Sequence, residues 1–169
     1  MGKISNETIS EIIINQFGEE KIFGLNEQYG LLQFTTQVEN IVPILHFLYQ
    51  DETLKFQFLT DLAGIHFPDA KGAELGVIYH LHSLENNIRL IIKTYVPIES
   101  PHVPTITGLY ATANWMEREA FDFYGILFDG HPNLTRILNV DDMDYHPLRK
   151  EYPLEDATRQ DKIDELFGR

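Results

Sequence analysis

The densest group of ionisable side chains inside a regular stretch is Glu117-Arg118-Glu119 with Asp122. Carboxylate pairs are the usual instruments of general acid–base chemistry, but spacing decides whether two of them share a proton. Residues two apart on a helix point about 200° from one another, so Glu117 and Glu119 face opposite ways, whereas Arg118 and Asp122 lie one turn apart and within pairing reach. The expectation is an ion-pair network at a helix surface or interface, with Arg118 bound to Asp122, rather than a catalytic dyad.

Seven histidines raise the question of metal chemistry. His80 and His82 alternate onto one face of a strand and could supply two ligands, with His66, His102 or His131 as a third. No His-Glu-x-x-His or equivalent spacing fixes that third ligand. Two polar surface residues are the simpler reading, and no metal is expected; a free-standing metal enzyme would have to combine these histidines with Glu117 or Glu119. Gly24, Gly30, Gly64, Gly72 and Gly76 are isolated and are read as turn residues; no phosphate loop, dinucleotide fingerprint or nucleophile elbow is present.

A third constellation spans residues 117–138 (EREAFDFYGILFDGHPNLTRIL) and 145–153 (YHPLRKEYP). It sets Arg118, Arg136, Arg149 and Lys150 among aromatics, with two His-Pro steps that interrupt regular structure. Arginine's planar fork suits bidentate carboxylate pairing, and arginines among aromatics have the composition of an interface core. Physical chemistry leaves two readings open here, an interface and intramolecular salt bridging. In either, Arg118 and Arg149 are expected to belong to buried pairs.

These groups need elements to hold them. Ser5 or Asn6 caps a helix in which Ile9, Ile12 and Ile13 recur at helical spacing up to Gly18. Short strands at 21–25 and 30–36 flank a turn, and Ile41, Ile44, Leu45 and Leu48 form the stripe of a second helix over 40–49. Strands are predicted at 56–62, 75–83 and 88–96, the last two joined as a hairpin at Glu85-Asn86-Asn87. Three prolines make 97–107 a connection, and a helix runs from Thr107 to Tyr124 with Gly125 in the C-terminal cap position. The order α-β-β-α-β-β-β-α, with links too short for parallel crossovers, predicts an α+β fold: a mixed or antiparallel sheet with helices on one side. Residues 1–140 form the domain, and 141–169, with nine acidic and five basic side chains, form an extended charged docking tail.

Composition narrows the function classes. The 169 residues contain no cysteine, which excludes disulfides, thiolate nucleophiles and all-cysteine iron–sulfur clusters on this chain. Twenty-six acidic against 13 basic side chains give a net charge of −13, which repels phosphate backbones and anionic lipid. Thirteen of the acids fall on each side of position 100, so neither half is a basic arm. No run approaches the roughly 20 apolar residues of a membrane span, and no signal or transit pattern opens the sequence. Nucleic acid and direct membrane insertion are not expected.

The third constellation resembles the C-type subunit of the proton-pumping NADH:quinone oxidoreductase, respiratory complex I. The residues that carry the resemblance are Glu117-Arg118-Glu119, Asp122, Tyr124-Gly125, Gly130-His131-Pro132, Arg136-Ile137-Leu138 and Pro147-Leu148-Arg149-Lys150-Glu151-Tyr152. Weaker similarity extends upstream through Leu59-Thr60-Asp61-Leu62 and Val77-Ile78-Tyr79-His80-Leu81. Glu151 stands where many relatives have Asp. The resemblance implies an α+β, non-redox subunit of the peripheral arm on the cytoplasmic side of the bacterial plasma membrane. It would scaffold the quinone-site (D-type) subunit and the B- and I-type subunits, with FMN, iron–sulfur clusters and quinone held by partners and none on this chain. In some relatives the chain continues into the quinone-site subunit; here that partner is expected as a separate chain. Membrane-bound hydrogenases and a ferredoxin-driven complex have related subunits, which the motif alone does not separate.

Overall fold

The computed structural model describes residues 4–152. Helix α1, Asn6–Phe17, starts where the Ser5 hydroxyl oxygen accepts the Thr8 N–H, and it stops at Gly18, whose φ of +83° cannot continue a helix. A hairpin follows, β1 (Phe23–Gln28) and β2 (Leu31–Thr35), then helix α2 (Ile41–Gln50). Three nine-residue strands come next: β3 (Phe58–His66), β4 (Leu75–Ser83) and β5 (Ile88–Val96). The short β6 (His102–Pro104), helix α3 (Ala113–Tyr124) and the short β7 (Leu127–Asp129) complete the order.

The first five strands make one mixed sheet in the order β1-β2-β5-β4-β3. Pairings within the hairpins are antiparallel, and β2 joins β5 in parallel, Phe34 opposite Ile92. That join is possible because α2, β3 and β4 together supply the long crossover a parallel pair needs. Alternation along β4 and β5 buries Val77, Tyr79, Leu81, Leu90 and Ile92 in the same cluster as Ile9 and Ile13 of α1, Ile44, Leu45 and Leu48 of α2 and Ala120 of α3. All three helices therefore cover one face, as the α+β reading predicts. Burying each such aliphatic side chain contributes about 1.5–3 kcal/mol.

Several bounds differ from expectation, among them the first strand, which runs 23–28, and the third, which extends to His66; three differences shape the site. The third strand begins at Phe58 and not at Phe56, because Lys55 turns the chain at φ +48° and buried Phe56 becomes an anchor, its carbonyl accepting the Tyr110 hydroxyl at 2.6 Å. Helix α3 begins at Ala113 and not at Thr107, since the Ile106 N–H is taken by the Glu117 carboxylate at 2.8 Å and 107–112 fold as turns. The proline-rich connection contains β6, which pairs in parallel with β7 as a separate two-stranded ladder. Pro104 ends it, a position where the missing N–H is tolerated.

A strap built on the end of a helix

Helix α3 ends at Gly125, in the left-handed region at φ +74°, with its N–H on the Phe121 carbonyl at 2.8 Å. A helix leaves its last four carbonyls without helical partners, and here each of them is used. After Gly125, the Asp122 carbonyl accepts Arg136 Nη1 at 3.2 Å and His146 Nδ1 at 3.0 Å. The Phe123 carbonyl accepts the Leu148 N–H at 3.2 Å, and the Tyr124 carbonyl accepts Arg149 Nε at 2.8 Å. Residues 135–150 thereby form a strap across the end of α3.

The Asp122 side chain locks the strap. One carboxylate oxygen accepts three consecutive N–H groups, from Ile137, Leu138 and Asn139, at 2.8–3.1 Å. The other accepts Arg136 Nη1 at 2.8 Å and the Asn139 amide at 3.0 Å. The residue is fully buried. Burial alone would raise its pKa, but the backbone N–H groups of Asn139 and Leu138, the Asn139 amide and Arg136 together hold it well below the usual carboxylate range. Arg136 continues the lock, its Nη2 donating to the Met143 carbonyl at 2.7 Å and that of Tyr145 at 3.3 Å.

The expected Arg118–Asp122 pair is corrected. Asp122 points into the strap and pairs with Arg136, 14 positions downstream, because there three backbone N–H groups and the Asn139 amide join the guanidinium around the buried carboxylate, donors that one helical neighbour does not bring. Arg118 instead donates to the Thr135 and Arg136 carbonyls at 3.0 and 2.9 Å, its guanidinium 5.2 Å from the Trp115 ring. Nor is Arg149 in a buried pair: it binds a carbonyl and lies 4.0 Å from the part-exposed Glu151. The buried pair of this region is Arg136 with Asp122.

Glu117 and Glu119 point apart, as helical spacing requires. Glu117 is fully buried and is bound by neutral donors instead of joining an ion-pair network, a second correction; it accepts the Thr105 hydroxyl at 2.6 Å and the Ile106 N–H at 2.8 Å. Burial pushes its carboxyl up to about 7 against the pull of those donors. Glu119 lines a cleft of about 170 Å³ with Asp61, Gly64, Tyr124 and Leu148. Gly64, expected in a turn, instead lies inside β3, where the close approach of α3 selects it: a Cβ would stand 2.5 Å from the Tyr124 ring.

The remaining motif residues surround the strap. The His131 ring accepts the Asn133 N–H at Nδ1 and so donates from Nε2 to the Asn114 carbonyl at 3.1 Å, beside exposed Pro132. Pro147 and Leu148 lie half-buried at the strap's far end, and the Lys150 N–H donates to buried His66 at 2.9 Å. The Tyr152 ring lies against that of Tyr145, 4.8 Å between centroids and tilted by 45°. Residues 141–152 thus lie against the domain, and 153–169 of the expected tail fall outside the described residues. Locking the strap backbone inward turns Leu138 and Val140 outward, 66% and 63% exposed; Trp115 on α3 is 61% exposed.

The histidines weighed as metal ligands are dispersed. His80 and His82 share the sheet face away from the helices, His66 is on the opposite face, His102 binds Asp129, and His131 binds backbone. Among the described residues, no three His, Cys, Asp or Glu side chains gather as a metal site. Thr105, Asn139, His146 and Trp115 take part in the site although no motif or spacing points to them individually. Of these only His146, in one of the two His-Pro steps, carries a visible signal in the sequence.

Residues 34–158 match the family described as the 30 Kd subunit of respiratory-chain NADH dehydrogenase. The C-type subunit of the NADH-quinone oxidoreductase of Nocardioides sp. is 46% identical over 125 residues, covering 74% of this chain and 50% of the relative. The C-type subunit numbered 2 in Rhizobium meliloti is 43% identical over 143 residues, covering 84% and 76%. The chain spans about half the length of the curated Nocardioides, Nocardia and Streptomyces relatives it matches. Among solved structures, a trypsin-resistant fragment of Nqo5 superposes with a TM-score of 0.62 at 30% identity, covering 76% of this chain and 98% of the fragment. A chain of an archaeal respiratory membrane complex, the membrane-bound sulfane sulfur reductase, shares the fold at a TM-score of 0.74 and 22% identity, covering 88% and 85%. With three-quarters of its length matched and the motif residues assembled around one helix end, the chain belongs to the family of the respiratory-chain NADH dehydrogenase 30 Kd subunit, the C-type subunit of NADH-quinone oxidoreductases.

Proposed function

We propose that this chain is a non-redox subunit of the peripheral arm of a proton-translocating NADH:quinone oxidoreductase, on the cytoplasmic side of the bacterial plasma membrane, and that it holds the quinone-site subunits in register. The observation that carries the reading is the strap. A fully buried carboxylate with five donors fixes a surface segment whose outward side chains include exposed Leu138 and Val140, while Trp115 of α3 is exposed beside Arg118. Rigid exposed apolar and aromatic groups beside an arginine are the composition of a binding surface. On this reading the D-type subunit, with the B- and I-type subunits beside it, contacts the strap, and those partners carry the FMN, clusters and quinone. The absence of cysteine agrees with a chain that ligates no all-cysteine cluster. Identities of 41–46% to relatives named for NADH and quinone favour this complex over a hydrogenase relative.

An affinity-tagged full chain expressed in its own cells tests the proposal. Quinone-site subunits and NADH:quinone activity are expected to co-purify with it, and Leu138→Glu with Val140→Glu to abolish that association while leaving the chain folded. Recovery of the chain with a hydrogenase, or association unchanged by the double variant, would overturn it.

A further inference from the structure

The five-stranded sheet has a second face that the core does not use. Ile78, His80, His82, Ile91, Lys93 and Tyr95 turn away from the helices and lie side by side, each half-buried. Register sets Ile78 beside Lys93, His80 beside Ile91 and His82 beside Arg89. β3 adds Ala63 opposite Ile78 and Ile65 opposite Gly76. Aromatic pairs stand at both ends: Phe58 with His82 at 6.5 Å between centroids, and Phe67 with Tyr95 at 6.1 Å. An antiparallel sheet with one wet face ordinarily shows polar residues there. This face instead carries an apolar band, the mark of an interaction surface.

Its charge runs against that of the chain. Acids outnumber bases two to one overall, 26 to 13, but here Arg89 and Lys93 accompany two imidazoles. Among the described residues Asp61, opposite His80, is the one carboxylate that register places on this face. Lys93 donates to the neutral Gln33 side chain at 2.7 Å, and neither Lys93 nor Arg89 forms an ion pair among the described residues. Two unpaired cations against one carboxylate, beside an apolar band, complement a surface that is apolar at its centre and carries carboxylates at its rim. A second copy would bring like charges together.

The geometry points to the open sheet face as a second docking surface, separate from the strap, for a neighbouring protein subunit with an apolar patch edged by carboxylates. The inference rests on the chain being a subunit of a larger complex. The cysteine-free sequence supplies the test. Ile91→Cys, Arg89→Cys and, as a control in an exposed turn off this face, Glu52→Cys are each labelled with a maleimide, in the isolated chain and in the purified native complex. Labelling at 91 and 89 is expected to slow about tenfold or more in the complex, as for a site opened only by dissociation, with 52 unchanged. Arg89→Glu is expected to weaken retention of the chain as salt rises, and the conservative Arg89→Lys to keep it. Equal labelling of all three sites in a complex that contains the chain overturns the inference and leaves the subunit reading intact; failure of the chain to enter any complex overturns the subunit reading itself. Protection in the isolated chain that fades on dilution would mean a second copy, and protection by anionic phosphatidylglycerol vesicles a membrane, and each would overturn the inference.

Discussion

Replacing Glu117 by Gln separates the cost of a buried charge from the geometry that surrounds it. The side chain is fully buried, and its carboxyl is pushed up to about 7 from an ordinary 4.5. That difference corresponds to about 3 kcal/mol favouring the neutral form in the folded chain. Between those two values the folded chain binds more protons than the unfolded one, so this group's effect on stability worsens as pH rises through the window and levels off above about 7. Glutamine keeps the acceptor for the Ile106 N–H and offers an amide to Thr105, whose hydroxyl can turn to its neighbour Thr107 at 3.0 Å. From pH 5 to pH 8 the wild type is therefore expected to lose about 2–3 kcal/mol relative to Glu117→Gln, with the variant the more stable at the upper end. Urea unfolding of both chains at the two pH values, followed by far-ultraviolet circular dichroism, measures this double difference and cancels every other titrating group. Parallel pH dependences, or a wild type that gains on the variant at pH 8, would refute the assignment of a buried, destabilised charge to Glu117.

Arg136→Met leaves the Asp122 carboxylate buried without its cation and frees the Met143 and Tyr145 carbonyls. A loss of about 3 kcal/mol is expected in urea unfolding, together with faster tryptic cleavage at Arg149 and Lys150 as the strap opens. Gly125→Ala forces an alanine to φ +74° and sets its Cβ 2.6 Å from Arg149 Nη2 and the His146 ring. It is expected to cost about 1–3 kcal/mol, with the loss of strap protection visible in amide hydrogen exchange.

Elements whose apolar residues repeat at one period are legible in the sequence. Helix α1 with its Ser5 cap and Gly18 stop, the α2 stripe, and the alternating β4 and β5 all follow from local pattern and capping chemistry. Periodicity misplaces the start of α3 because Glu117 reaches back 11 positions for the Ile106 N–H, a bond no window of helical periodicity contains. Local pattern makes a plain connection of β6 because its partner β7 lies beyond the next helix. The strap residues are legible as a group of arginines, aromatics and His-Pro steps, and as a family signature; their partners are not.

By itself, the sequence determined what this chain lacks and what it is kin to: no cysteine, a large acid excess, a core sufficient for one domain, and an ordered motif shared with a known family. Which arginine serves Asp122 was decided only in three dimensions. On an isolated helix the one-turn neighbour Arg118 is the natural partner, but a carboxylate taken out of water needs more donors than one side chain provides. The fold brings three backbone N–H groups and Arg136 to the same point, so the pairing that sequence spacing favours is the one that tertiary burial displaces.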